Sequence, residues 1–240
     1  MKRKSILNTA IVGCLYAVIS GIEMLYLRND DVQMVFVNLL FDVKNFLGDK
    51  HFFLVINVLF AIILSCYLCS MDIKKYYTVY TFGRIASKRI FFAKCLINVC
   101  IRQIVFSMCY CSVLMMLSMF SCRAGLEVND YLLILLVKAV VAIVYGCIVF
   151  GIITAVAALF ADERIAVLFI IVLVLGLSFI SMSFSDMSFI NSHWFVVNPV
   201  MSVTIINMDL TQTFMASGRM FVITVLEIMM AVNVCKRKEL

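Results

Sequence analysis

Of the chain's 240 residues, 65% are hydrophobic and 14% charged, against about 45 to 50% and 25% in soluble domains, which excludes a water-soluble globular protein. The formal net charge of +6 does not imply nucleic-acid binding, because in so apolar a chain the sidedness of the cations matters more than their sum. One proline and nine glycines leave no room for flexible linkers, so residues 1–240 read as a single all-α integral membrane domain made of spans.

The chain opens with Lys2, Arg3 and Lys4 ahead of an apolar run at 6–27, close to the roughly 20 residues that cross a hydrocarbon core. The run is longer than a signal-peptide core, and Leu25, Tyr26, Leu27 and Arg28 offer no small-residue cleavage pattern. It is therefore read as a retained first span with its N-terminus inside. Glu23 falls in its last part. Two readings stand for this acid: it sits at the outer headgroup level, or it is buried and functional.

Residues 28–51 carry Asp30, Asp31, Asp42 and Asp49 with two amphipathic patches, at 35–41 and 46–47, the composition of an outer interfacial segment. The second span follows at 52–71. After it, residues 72–94 concentrate six cations, Lys74, Lys75, Arg84, Lys88, Arg89 and Lys94, against the single acid Asp72. Loops this rich in Lys and Arg stay cytoplasmic. Tyr76, Tyr77, Tyr80 and Phe82 sit among the lysines, as suits an amphipathic interfacial helix with its rings at headgroup depth. Gly83 then interrupts, and Arg84 and Lys88, four apart, share a helix face. The segment is either a basic surface for a partner or for lipid, or a solvated loop that only orients the spans.

The third span, at 96–120, has Arg102 and Gln103 within two turns of its inner boundary, where Arg102 snorkels to the headgroups. A short outer turn at 121–130 leads to the fourth span at 131–160. Lys138 lies about 12 Å down that helix from Asp130, too deep for easy snorkelling, so it faces protein or water. Glu23 and Glu227 are its candidate partners. Ala161, Asp162, Glu163 and Arg164 form an inner turn so short that the fourth span and the fifth, at 165–182, are antiparallel neighbours. Residues 183–218 are too polar for a span, yet the apolar run 194–206, from Trp194 and broken by Asn198 and Pro199, has the length of a re-entrant or interfacial hairpin. The sixth span, at 219–234, carries Glu227, and Lys236, Arg237 and Lys238 close the chain.

On this map 13 cations lie inside and 5 outside, with 4 acids inside and 8 outside, so both termini are cytoplasmic. The ten cysteines lie mostly in apolar runs, where a thiol behaves as a small hydrophobe, and no disulfide framework is expected. Cys66 and Cys69 form a CxxC, but a metal would need two more ligands and thiolates held in lipid, with only His51 and His193 available elsewhere. No G-x-x-x-x-G-K-[ST] stretch is present, and GRIASK at 83–88 lacks its second glycine and spacing. H-E-x-x-H and G-x-S-x-G are absent as well, so the chain reads as neither an enzyme nor a binder of a cofactor.

Six spans with both ends inside, the basic YTVYTFGRIASKRIFFAKCL stretch after the second, and a broken hairpin containing WFVVNPVMSV before the sixth resemble the type-two ATP-binding-cassette (ABC) exporter permeases. The similarity is nearest to small bacterial members associated with bacteriocin export or immunity. It implies a multi-pass protein of the bacterial cell membrane. In that family the loop between spans two and three is a coupling helix that docks a separate ATPase subunit; here Tyr76, Tyr77, Tyr80, Gly83, Arg84, Ser87, Lys88 and Arg89 match it. Trp194, Asn198 and Pro199 match the re-entrant hairpin. The resemblance further implies a second permease, identical or not, ATP and Mg on the partner ATPase alone, and a peptide-like or amphipathic cargo. The many Met and Phe side chains would suit such a cargo, but most are read as core or lipid-facing.

Two other classes stay open: a non-transport immunity or sensor protein that binds its target within the bilayer, which needs no ATPase, and an ion-coupled transporter. For the second, Glu23, Arg102, Lys138 and Glu227 are the intramembrane polar candidates.

Overall fold

A computed structural model of the chain describes residues 3–21, 56–76, 88–121, 130–183 and 210–237. Among these residues there are six helices and no strand: α1 (Arg3–Gly21), α2 (Ile56–Tyr76), α3 (Lys88–Ser121), α4 (Asp130–Phe160), α5 (Glu163–Ser183) and α6 (Leu210–Arg237). None contains proline, the residue that would break the i to i−4 ladder. In hydrocarbon every backbone N–H and C=O must be satisfied within its own segment, so long apolar runs settle as helices. Three stretches are long and apolar enough to cross a membrane: Ile90–Phe120, Leu136–Phe160 and Thr213–Val234. Ile6–Gly21, Phe60–Met71 and Arg164–Leu177 are shorter apolar helical stretches.

The exterior is as apolar as the interior. Phe214 is 82% exposed, Phe120 75% and Phe221 71%, and Leu7, Ile19, Leu168 and Val172 stand out beside them. A water-facing monomer does not tolerate an apolar surface this continuous; a bundle solvated by lipid tails requires it.

Helix α4 is the centre, packed against α2, α3, α5 and α6, with α1 laid along α3. One core cluster joins Ile62 and Cys66 of α2, Phe106, Tyr110 and Leu114 of α3, Ile143, Cys147 and Phe150 of α4, and Ile170 and Val174 of α5. A second, around Phe92 and Leu96 of α3 and Ile152 and Ala155 of α4, reaches Ala231 of α6.

Close approach is set by small residues. On α1, Thr9, Gly13, Ala17 and Gly21 are buried at four-residue spacing, the small-xxx-small pattern that lets helix backbones meet where lipid tails supply no hydrophobic drive. A Cβ on Gly13 would stand 3.0 Å from the Phe106 carbonyl oxygen, and one on Gly21 2.6 Å from Leu117 Cδ1. A Cβ on Gly146 would stand 2.8 Å from Ile62 Cδ1, and one on Gly151 2.8 Å from Gln103 Nε2.

These contacts fix directions. Thr9, Gly13 and Gly21 meet Arg102, Phe106 and Leu117 in the same order, so α1 and α3 run parallel. Residues 103 and 107 of α3 meet 151 and 147 of α4, so that pair is antiparallel. Between α4 and α5 only Ala161 and Asp162 intervene, closed by Ala161 N–H donating to the Ala157 carbonyl at 3.0 Å and Ala166 N–H to the Asp162 carbonyl at 2.9 Å. The tight antiparallel connection expected there is present.

Several helices outrun the spans read from the sequence. Helix α2 continues past 71 to Tyr76, α3 begins at Lys88 rather than 96, and α6 begins at Leu210 rather than 219. Apolarity marks what suits hydrocarbon, whereas the hydrogen-bond ladder runs on into polar flanks. Tyr76, Lys88 and Arg89 are thus in the ends of α2 and α3, and Arg219, read as the first residue of the sixth span, lies well inside α6. Glu23, Tyr77, Tyr80, Gly83, Arg84 and Ser87 lie outside the described residues. So do Trp194, Asn198 and Pro199 with the proposed hairpin, and the 28–51 segment.

Candidate functional site

Arg102 of α3 is only 4% exposed. Its Nε donates to Thr9 Oγ1 of α1 at 2.9 Å, and Nη2 points at the Leu68 carbonyl of α2 at 3.5 Å. This corrects the snorkelling reading. Helix α3 starts at Lys88, which puts Arg102 about 21 Å along it at 1.5 Å per residue, and its side chain crosses to two neighbouring helices instead of turning back to a headgroup. Thr9 sits opposite in the small-residue stripe of α1, where valine would keep the shape and remove the acceptor, and a larger apolar side chain would also block the approach.

The next residue continues the layer. Gln103, 1% exposed, donates from Nε2 to Cys69 Sγ of α2 at 3.0 Å, and the missing side chain of Gly151 on α4 makes room for its carboxamide. Consecutive residues of α3 therefore reach α1, α2 and α4 at one level. Cys66 and Cys69 of the CxxC are buried thiols outside any disulfide, and Cys69 serves as a hydrogen-bond acceptor. Among the described residues no three His, Cys, Asp or Glu side chains gather into a metal-binding set.

One turn further along α3, Ser107 faces Cys147 of α4, which also has Ser65 of α2 beside it, while Thr154 of α4 approaches Cys66. The hydroxyls of Ser65 and Thr154 donate to the Ile62 and Phe150 carbonyls of their own helices, at 2.7 and 2.6 Å, so neither exposes a bare polar atom. Ser107 Oγ and the Tyr110 hydroxyl are buried with no hydrogen-bond partner. The Tyr110 ring stacks on Tyr16 at a centroid distance of 5.5 Å and on Phe106 at 6.2 Å. Packing, rather than its hydroxyl, holds Tyr110.

The second polar feature is Glu227 of α6. It borders an open cleft of about 350 Å³ whose walls include Ile152 and Val156 of α4, Phe169 of α5, and Met230 and Val234 of α6. Glu227 Oε2 is buried and makes no hydrogen bond. Its electrostatic neighbours are Cys100 of α3 and Tyr145 of α4. Lys138 is half-buried on α4, two turns before Tyr145.

Of the intramembrane polar candidates, Arg102 joins a hydrogen-bonded layer that reaches α1 and α2, and Glu227 stands in its cleft. Sequence reasoning named neither Thr9 nor Gln103 as a member of the site, although the four-residue spacing of Thr9, Gly13, Ala17 and Gly21 is visible in the chain. No protein family, curated protein or solved structure matches the chain.

Proposed function

We propose that the chain is the membrane-spanning permease subunit of a bacterial ABC exporter, moving a peptide-like or amphipathic substrate with energy from a separate ATPase. The observation that carries the reading is the agreement between helix direction and charge. With α1 parallel to α3, both antiparallel to α4, and α2 running with α4, the described cations at Arg3, Lys4, Lys74, Lys75, Lys88, Arg89, Lys94 and Arg164 belong to one end of the bundle. Six alternating crossings with this basic end in the cytoplasm are what a permease needs to meet its ATPase. The extension of α2 and α3 beyond their apolar parts supports a basic helical projection between spans two and three. That projection is the docking element: the ATPase contacts it, and nucleotide-driven closure tilts α2 and α3 together because Arg102 and Gln103 tie them. ATP and Mg belong to the partner, and a second permease, identical or different, completes the path.

The test is recovery of the ATPase with the purified chain. Exposed ion pairs contribute only about 0 to 1 kcal/mol each, whereas a buried aromatic anchor contributes about 2 kcal/mol or more. Tyr80→Ala should therefore reduce ATPase recovery more than Lys74→Ala, with insertion of the permease unchanged. Equal recovery from wild type and from a variant with Tyr76, Tyr77, Tyr80 and Arg84 all changed to Ala rejects this docking role.

A further inference from the structure

The cleft beside Glu227 combines three features. Its walls are apolar, its volume is about 350 Å³, and the one ionisable side chain on it, Glu227, has a buried oxygen without a hydrogen-bond partner. Neither Cys100 nor Tyr145, its electrostatic neighbours, supplies a positive charge. A carboxylate in such surroundings is costly until a proton or a cation joins it. An engineered cavity of about 150 Å³ takes benzene, so this cleft holds on the order of a dozen heavy atoms.

Depth decides which cation. Glu227 lies seven residues before Val234, the end of the apolar stretch of α6, or about 10 Å along the helix and inside the hydrocarbon core. A phospholipid ammonium stays at the interface and does not reach that level. We propose that the cleft between α4, α5 and α6 binds a hydrophobic organic cation, an alkyl chain of about a dozen carbons ending in an ammonium group, with the head on Glu227 and the tail against Ile152, Val156 and Met230. The site goes beyond the permease reading and does not depend on it, since binding needs neither an ATPase nor transport.

The experiment places the purified chain in nanodiscs of phosphatidylglycerol and phosphatidylcholine, which carry no primary amine, and adds a dodecylamine bearing a photoreactive diazirine. Peptide mass spectrometry should find saturable adducts at 152–157 and 230–234. Excess dodecylamine should reduce them at least about tenfold and dodecanol should not. Glu227→Gln, which keeps shape and removes charge, should lower labelling at least about tenfold, and Val156→Phe should block it by filling the cleft. If Val156→Phe does not elute as a monodisperse species, the Glu227→Gln and dodecanol arms decide alone. Adducts that never saturate, that survive Glu227→Gln, or that dodecanol competes equally overturn the proposal. So does loss of labelling in nanodiscs rich in phosphatidylethanolamine, which would identify a lipid headgroup as the occupant.

Discussion

The contact between Arg102 and Thr9 can be weighed by a double-mutant cycle. Thr9→Val keeps volume and removes the hydroxyl that accepts from Arg102 Nε at 2.9 Å; Arg102→Met removes the donor and keeps an apolar stem. Side-chain hydrogen bonds between membrane helices average about 0.6 kcal/mol and reach about 1.7, while those to charged groups in soluble proteins contribute about 1.5 to 3. Arg102 is charged and 4% exposed, so the coupling should fall near 1.5 kcal/mol, roughly a tenfold change in the unfolding constant. Unfolding in mild detergent can be followed with a thiol-reactive dye, because Cys66, Cys69, Cys111 and Cys147 are buried thiols outside any disulfide that become reactive only on opening. Thr9→Val alone should be the more harmful single change, since it strands a buried guanidinium donor, and Arg102→Met the milder. A coupling below about 0.3 kcal/mol would show that the two side chains do not hold α1 to α3.

Further expectations follow from close approach and from charge. Gly13→Leu should loosen α1 from α3 by about 1 to 3 kcal/mol, because the new side chain meets the Phe106 backbone oxygen, which cannot move aside; Gly176→Leu, whose added Cβ meets nothing within 4 Å, is the control and should leave the same unfolding assay unchanged. Cysteine accessibility in oriented vesicles should place Lys88 and Glu239 on one side and Asp42 and Asp209 on the other; Lys88 reacting from the outside would reverse the map of the whole chain.

The helices were legible because an apolar run of about 20 residues has one backbone solution in lipid, and the turn at Ala161 and Asp162 because charged residues interrupt two long apolar runs there. Their ends were less legible, since Lys88 to Lys94 reads as polar yet continues the ladder of α3. Side-chain chemistry was less legible still: Arg102 stands near the start of the run read at 96–120, yet it is buried in the bundle and its partner is a threonine on another helix. Which helices touch is written in small residues, and Gly13 and Gly21 of α1 signal it by spacing alone. Which polar side chains meet is not, because Arg102 with Thr9 and Gln103 with Cys69 depend on the rotation of α1 and α2 about their axes. An apolar surface all round gives no period from which to read that rotation.

The two polar features therefore differ in kind. In lipid, apolar side chains do not discriminate one helix register from another, since tails and leucines are equivalent neighbours. Register has to come from small-residue contacts and directional bonds. At the level of Arg102 and Gln103, α3 holds α1, α2 and α4 by directional bonds and by the space left at Gly151. Helix α6 is the least enclosed of the three long spans, and beside Glu227 the cleft is walled by Ile152, Ile153 and Val156 of α4 and Ala231 of α6. Methyl and methylene groups slide over one another without losing a specific partner, so these apolar walls do not fix a register as the polar layer does for α1 to α4. A carboxylate placed beside these apolar walls rather than in the polar layer meets whatever enters the cleft, which is the arrangement a recognition group needs and a structural ion pair does not.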